Sequence, residues 1–291
     1  MIDWLMEPLG YTFLLRGFVA AIMIGIICAV VGTFVVLKGL AFIGDALAHI
    51  AFTGIVVAFL AGFSFYIGAL IAAVLAALGI GAVSQRTGIS TDTSIGIFFS
   101  GIFAAGIVLM SLGIQTYTID LFSYLFGDIL SVRRDDLISI MILGGIVLGI
   151  ILLFYKELLF VSFDPVVAES AGLPARKLQM LLLILLSVTV VVSVQAVGVV
   201  LVVAMIVTPS ATAYLLTDRF GVMMALGAVF GAASAIGGFY LSYYADVPSG
   251  GAIVLVATLL FAIVAIIGPK RRSFWQLATS GTDASQHQRP A

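Results

Sequence analysis

The sequence predicts an all-α polytopic membrane protein of about eight to nine transmembrane helices, and three observations carry that reading. AVILMFWYC residues make up 63% of the 291-residue chain and charged residues only 9%, whereas soluble domains carry roughly 25% charge. The apolar residues fall in runs close to the roughly 20 residues that a helix needs to cross a bilayer. The polar stretches between runs are short, which leaves no space for a soluble catalytic domain. Lys and Arg (13) nearly balance Asp and Glu (14), so the chain offers no strongly basic face for nucleic acid. The single Cys28 lies in an apolar run and reads as core filler. One thiol per chain builds neither a disulfide framework nor a cysteine metal site.

Read between polar punctuation, the spans fall near residues 17–37, 41–61, 65–83, 95–112, 137–155, 178–194, 197–216, 220–243 and 251–267. The amino end, Met1-Ile2-Asp3-Trp4, lacks the basic flank of a cleavable signal peptide, so the first span is expected to stay. Residues 178–216 are too long for one upright helix and short for two, and Gln195, Gly198 and Pro209 interrupt them. They are expected to form a tight hairpin of short or broken helices facing the bundle interior, where freed backbone groups find partners. Gly101 with Ala105, and Gly227 with Gly231, repeat at the four-residue spacing of close helix packing, and are expected to pack within one bundle in preference to marking a dimer contact. No repeat of array length is visible.

Short cytoplasmic loops are enriched in Lys and Arg, which sets the orientation. Lys270, Arg271 and Arg272 put the carboxyl end inside. Lys38, Arg86, Lys156, Arg176, Lys177, Arg219 and Arg289 fall on the same side, making ten of the 13 basic residues; Arg16, Arg133 and Arg134 fall outside. The transmembrane domain is thus expected over 1–270, followed by a polar, disordered cytoplasmic tail over 271–291 that includes His287.

Ionisable groups within a span are costly and mark functional positions by default. Asp45 and His49 stand four residues apart, on one helix face. Counted as helix from Lys38 they lie roughly 10 to 16 Å into the membrane, near its midplane. One carboxylate and one imidazole suit Mn(II), Zn(II) or Fe(II), with no thiolate to favour Cu(I). Two ligands do not complete a metal site, so further groups must join, from this chain or from a second copy across a two-fold axis. The same pair also reads as a hydrogen-bonded lock between helices. On the cytoplasmic side, Asp164 before Pro165 is a helix-start signal and Gly172 before Pro174 a stop signal. A short amphipathic helix is expected over about 163–174, a docking handle if not an ordinary connection. Gln195, Thr208, Ser210 and Thr212 either line a path near Pro209 or satisfy backbone around the Pro and Gly interruptions.

Asp45-x-x-x-His49 after Lys38-Gly39, the segment from Phe163-Asp164-Pro165 to Gly172, and Ala196-Val197-Gly198 running on to Thr208-Pro209-Ser210-Ala211-Thr212-Ala213 together resemble the permease subunits of ABC importers for zinc, manganese or iron. The likeness runs in order from Phe13 to Lys270. It implies a homodimeric permease with the type II importer bundle in the cytoplasmic membrane, two separate ATPase subunits beneath it, and a metal-binding lipoprotein or periplasmic protein above it. It implies no permanently bound cofactor, Mn(II) or Zn(II) being the cargo. It implies that Asp45 and His49 coordinate the passing metal. It implies further that Asp164, Pro165, Ala168, Glu169 and Gly172 belong to the coupling helix that meets the ATPase. The chain contains no Gly-x-x-x-x-Gly-Lys-Ser/Thr loop, so ATP hydrolysis must be a partner's and the chain is not itself an enzyme. The outer loop from Gln115 to Asp136 carries Arg133 and Arg134, read either as cations that meet the binding protein or as surface partners of Asp135 and Asp136. The competing functions are an ion-coupled secondary transporter of a cation, for which Asp45 is the only deep carboxylate, and an intramembrane metalloprotease, for which the His-Glu-x-x-His helix is missing.

Overall fold

A computed structural model describes residues 10–113, 129 and 132–268 of the chain. Met1 to Trp4, most of the outer loop, Lys270, Arg271, Arg272, His287 and the rest of the tail lie outside the described residues. The chain forms α1 (Thr12–Leu37), α2 (Ile43–Ala61), α3 (Phe65–Thr87), α4 (Thr91–Gly113), α5 (Arg134–Leu153), α6 (Tyr155–Phe163), α7 (Pro165–Ser170), α8 (Ala175–Val197), α9 (Val199–Leu216), α10 (Phe220–Ala245) and α11 (Ser249–Ile267). Nine of these described helices are long and apolar enough to cross a membrane, one for each apolar run. Only α6 and α7 are too short.

Helices α1, α2 and α8 form the interior, while α4, α5 and α11 are peripheral. One group packs α1 against α9 and α10, with α11 outside them; a second packs α2 against α3 and α4; α8 touches both groups. Side-chain pairs fix how neighbouring helices run. Gln85 Nε2 donates to Gln179 Oε1 at 3.2 Å, and the rings of Tyr155 and Phe220 meet at 6.1 Å. Phe18 meets Phe239 at 5.2 Å towards the opposite end of the bundle. Lys38, Arg86, Lys156, Arg176, Lys177 and Arg219 therefore gather at one end, the basic end, and Arg16, Arg133 and Arg134 lie at the other.

Residues 178–216 differ from expectation. They supply two full-length helices, because α8 begins three residues earlier at Ala175 and runs unbroken past Gln195. Arg176 and Lys177 extend the helix beyond the apolar run, since long cationic side chains reach the interface while their stems stay on the helix. The corner is a single residue, Gly198, at φ 80°, a conformation that only glycine adopts readily. Pro209 sits inside α9 without ending it.

Of the two small-residue pairs, one packs inside the bundle. A Cβ on Gly231 would strike the Gly25 carbonyl oxygen, so α10 and α1 touch backbone to backbone there. Around Gly101 there is nothing within 4 Å of such a Cβ. Gly101 and Ala105 are exposed, so that pair does not serve packing within this chain. Hydroxyls tie further helices together: Ser210 Oγ donates to the Ala29 carbonyl at 2.8 Å, Thr53 Oγ1 to that of Ile102 at 3.0 Å, and Ser187 Oγ to that of Ala73 at 3.3 Å. Each such bond between membrane helices contributes about 0.6 kcal/mol on average.

Candidate functional site

Helix α2 opens at Ile43 after a turn through residues 38–42, in which the Ile43 N–H donates to the Leu40 carbonyl at 3.0 Å. This turn moves the Asp45 and His49 pair from its expected depth. Counted from the first residue of α2, Asp45 lies about 3 Å and His49 about 9 Å along the axis. The pair therefore occupies the half of α2 nearer the basic end, not its centre, because the five residues 38–42 turn instead of climbing. Ala46, Leu47, Ala48 and Ile50 are buried beside them, yet the side chains of Asp45 and His49 keep 41% and 25% exposure. The mostly buried first half of α2 thus leaves its two ionisable groups partly open at the surface of a single chain.

His49 Nδ1 is 2.9 Å from the Asp45 carbonyl oxygen and 3.4 Å from Asp45 Oδ1. A proton on Nδ1 donated to that carbonyl leaves the lone pair on Nε2, the arrangement of a neutral metal-ligating imidazole. The ring is held edge-on by Phe99 at 5.3 Å and Phe103 at 5.2 Å, which are stacked on each other along α4. Sequence reasoning missed these two aromatics, although their four-residue spacing is the signal of a shared helix face. The carboxylate approaches Nδ1 and not Nε2, so the two ligand atoms do not converge on one point within the chain. Among the described residues no three His, Cys, Asp or Glu side chains gather to hold a metal ion.

At the basic end α6 leads directly into α7. Asp164 caps α7: its Oδ1 accepts from the Val166 and Val167 N–H groups, each at 2.9 Å, and Pro165 fills the first helical position, where a missing N–H costs nothing. Ala168 is fully buried and anchors the helix. Gly172, at φ 87°, donates to the Glu169 carbonyl at 3.0 Å and closes the segment. Glu169 is exposed, and so are the apolar Phe163, Val166 and Val167, at 61%, 72% and 50%.

The other expected positions are placed as follows. Arg133 and Arg134 are exposed at the start of α5. The Arg133 N–H donates to Asp136 Oδ2 at 3.0 Å, but among the described residues neither guanidinium makes an ion pair with Asp135 or Asp136. Thr212 Oγ1 donates to the Thr208 carbonyl at 2.7 Å and Ser210 to α1, so both hydroxyls are engaged with backbone. Gln195 Nε2 is buried without a hydrogen-bond partner. Lys38, just past the end of α1, faces a small cavity of about 110 Å³ with Phe34, Leu182 and Leu186, beside the polar Ser84, Thr91 and Gln179. Burial pushes its ammonium pKa below the ordinary lysine value.

Residues 10–268 match the ABC 3 transport family. The chain is 49% identical over 265 residues to the manganese transport system membrane protein MntC of Halalkalibacterium halodurans, covering 91% of this chain and 90% of that one. It is 37% identical over 270 residues to a probable iron transport system membrane protein of Haemophilus influenzae, covering 93% and 95%. Its structure aligns with PsaBC from Streptococcus pneumoniae in complex with Fab at a TM-score of 0.82 and 37% identity, covering 94% of this chain and 98% of that one. With the family matched from before α1 to the end of α11, this polytopic membrane chain belongs to the ABC 3 transport family.

Proposed function

We propose that the chain is the permease subunit of an ATP-driven importer in the cytoplasmic membrane and that its cargo is Mn(II), moved across a homodimer interface by alternating access. The observation that carries this reading is that Asp45 and His49 are only half-buried in the mostly buried first half of α2, with 41% and 25% of their side chains left open. A carboxylate and an imidazole left at a lipid-facing surface would be costly. A second copy related by a two-fold axis covers them and doubles the ligand set to two carboxylates and two imidazoles, enough for a divalent ion. The outward face of α4, with Gly101 and Ala105 unpacked on the helix that carries Phe99 and Phe103, allows the second chain to approach closely. Oxygen and nitrogen ligands suit Mn(II), and MntC, the relative described above, is named for manganese.

The basic end is assigned to the cytoplasm by its Lys and Arg residues. There α7 displays Val166 and Val167 to water, an apolar surface on a short capped helix that suits a groove in a separate ATPase subunit. At the opposite end Arg133 and Arg134, without an ion pair among the described residues, are available to carboxylates of an extracytoplasmic metal-binding protein.

The test is uptake into proteoliposomes holding the permease, its ATPase and its binding protein, with Mn(II), Zn(II) and Fe(II) offered together. Mn(II) uptake that requires ATP hydrolysis is expected. Uptake that follows an imposed ion gradient without ATP would replace this reading with a secondary transporter, and preferred Zn(II) or Fe(II) would correct the cargo.

A further inference from the structure

A second site lies at the basic end, away from Asp45 and His49. Between the last turn of α3 and the first turns of α8 the bundle opens a cleft of about 740 Å³. Its lip carries Arg86 from α3 and Arg176 and Lys177 from α8, and no carboxylate of the described residues lines it. None of these three cations makes an ion pair among the described residues. The Gln85 to Gln179 hydrogen bond holds the two helices together beside it.

The wall of the cleft changes character with depth. Ala82 stands one turn above Arg86 on α3. On α8, Met180 and Leu181 stand one turn above Arg176 and Lys177, and Ile184 one turn further. The lining thus passes from cationic to apolar within about 12 Å, in the direction of the membrane interior. A soluble protein could meet the lip but would leave Met180, Leu181 and Ile184 uncovered, and a free phosphate would gain nothing from them. An amphiphile with an anionic head and a hydrocarbon chain matches both parts, as basic pockets between membrane helices on the cytoplasmic side match acidic lipid heads.

We propose that this cleft holds an anionic phospholipid of the inner leaflet, its phosphate among Arg86, Arg176 and Lys177 and an acyl chain along Ala82, Met180, Leu181 and Ile184. Because Arg176 and Lys177 open α8 directly after the segment closed by Gly172, the lipid braces the junction through which α7 is joined to the transmembrane helices.

The experiment uses the full-length chain, alone and with its ATPase subunit, purified in neutral detergent and titrated with phosphatidylglycerol or phosphatidylcholine. Co-purifying lipid is counted by mass spectrometry and the unfolding temperature is recorded. Phosphatidylglycerol, but not phosphatidylcholine, is expected to be retained and to raise the unfolding temperature. A basic side chain near an anionic lipid surface is worth about fivefold in affinity, so replacing all three cations by Gln should weaken phosphatidylglycerol binding about a hundredfold. Ile184→Trp, which fills the apolar part and leaves the charges alone, should lower retention as well, and glycerol phosphate should not stabilise the wild type. Phosphatidylglycerol binding that survives the triple Gln variant overturns the proposal. So does stabilisation by glycerol phosphate equal to that by the lipid, which would mark a site for free anions. A triple variant that keeps its lipid but no longer binds the ATPase would show the patch to be a subunit interface.

Discussion

Asp164 shows how much a single residue contributes to the short helix α7. It accepts from two N–H groups that would otherwise face outward unpaired at the start of a six-residue helix. Asp164→Ala should destabilise that helix by about 1 kcal/mol. The expected readout is ATP hydrolysis that persists while metal uptake per ATP falls; Asp164→Asn, which can still cap, should restore much of the ratio. Lys38 gives a prediction in pH. Its pKa in the folded protein lies below that of the unfolded chain, about 10.4, because burial penalises the charge. The folded state therefore binds fewer protons, and stability rises with pH between the depressed value and about 10.4. Lys38→Met should raise the unfolding temperature at pH 7, and the gain should shrink as pH approaches 10.5; an equal gain at both would contradict the burial argument. Asp45, His49 and Asp164 were legible in the sequence because their chemistry is local: a charge in an apolar run, a cap before a proline. Phe99, Phe103 and the desolvation of Lys38 were not, since they arise from helices far apart in the chain.

The helices themselves were mostly legible, because crossing a bilayer imposes length and apolarity on each one. The apolar runs located all nine long helices among the described residues and set most ends within a few residues of those observed. The run from 178 to 216 was misjudged where composition and helix part company, at a basic first turn and at a one-residue corner. The depth of Asp45 was misjudged because a turn and a helix of the same sequence length differ in rise. Helix α5 offers a prediction at this scale. Its start carries Arg133 and Arg134, and acidic residues at a helix N-terminus are favourable, so replacing both Arg by Glu should leave the fold intact. Affinity for the binding protein should fall, and its salt dependence, a mark of charge attraction between exposed groups, should weaken. Unchanged docking would remove these residues from that interface. Where α1 and α10 touch at Gly25 and Gly231, Gly231→Leu should prevent close packing and sharply lower the yield of folded protein, whereas Gly101→Leu on the open face of α4 should fold as a single chain and fail to dimerise.

For the whole molecule, the partner surfaces were least legible, because one sequence does not show what covers an exposed face. The structure narrows this. Two ionisable groups are left half-buried on a mostly buried helix, small residues are unpacked on a peripheral helix beside it, and an apolar helix is displayed at the basic end. In the dimer proposed here each metal ion is shared, so equilibrium binding should give a metal ion per pair of chains, and a variant that stays monomeric should bind none with comparable affinity. The central claim is that Asp45 and His49 handle the cargo. Its most direct test is Mn(II) uptake by the complete transporter in proteoliposomes, wild type beside Asp45→Ala and His49→Ala, with ATP hydrolysis recorded on the same samples. Assembled variants that hydrolyse ATP but no longer accumulate Mn(II) are the predicted result; normal uptake by both would reduce the pair to a structural lock and contradict the account.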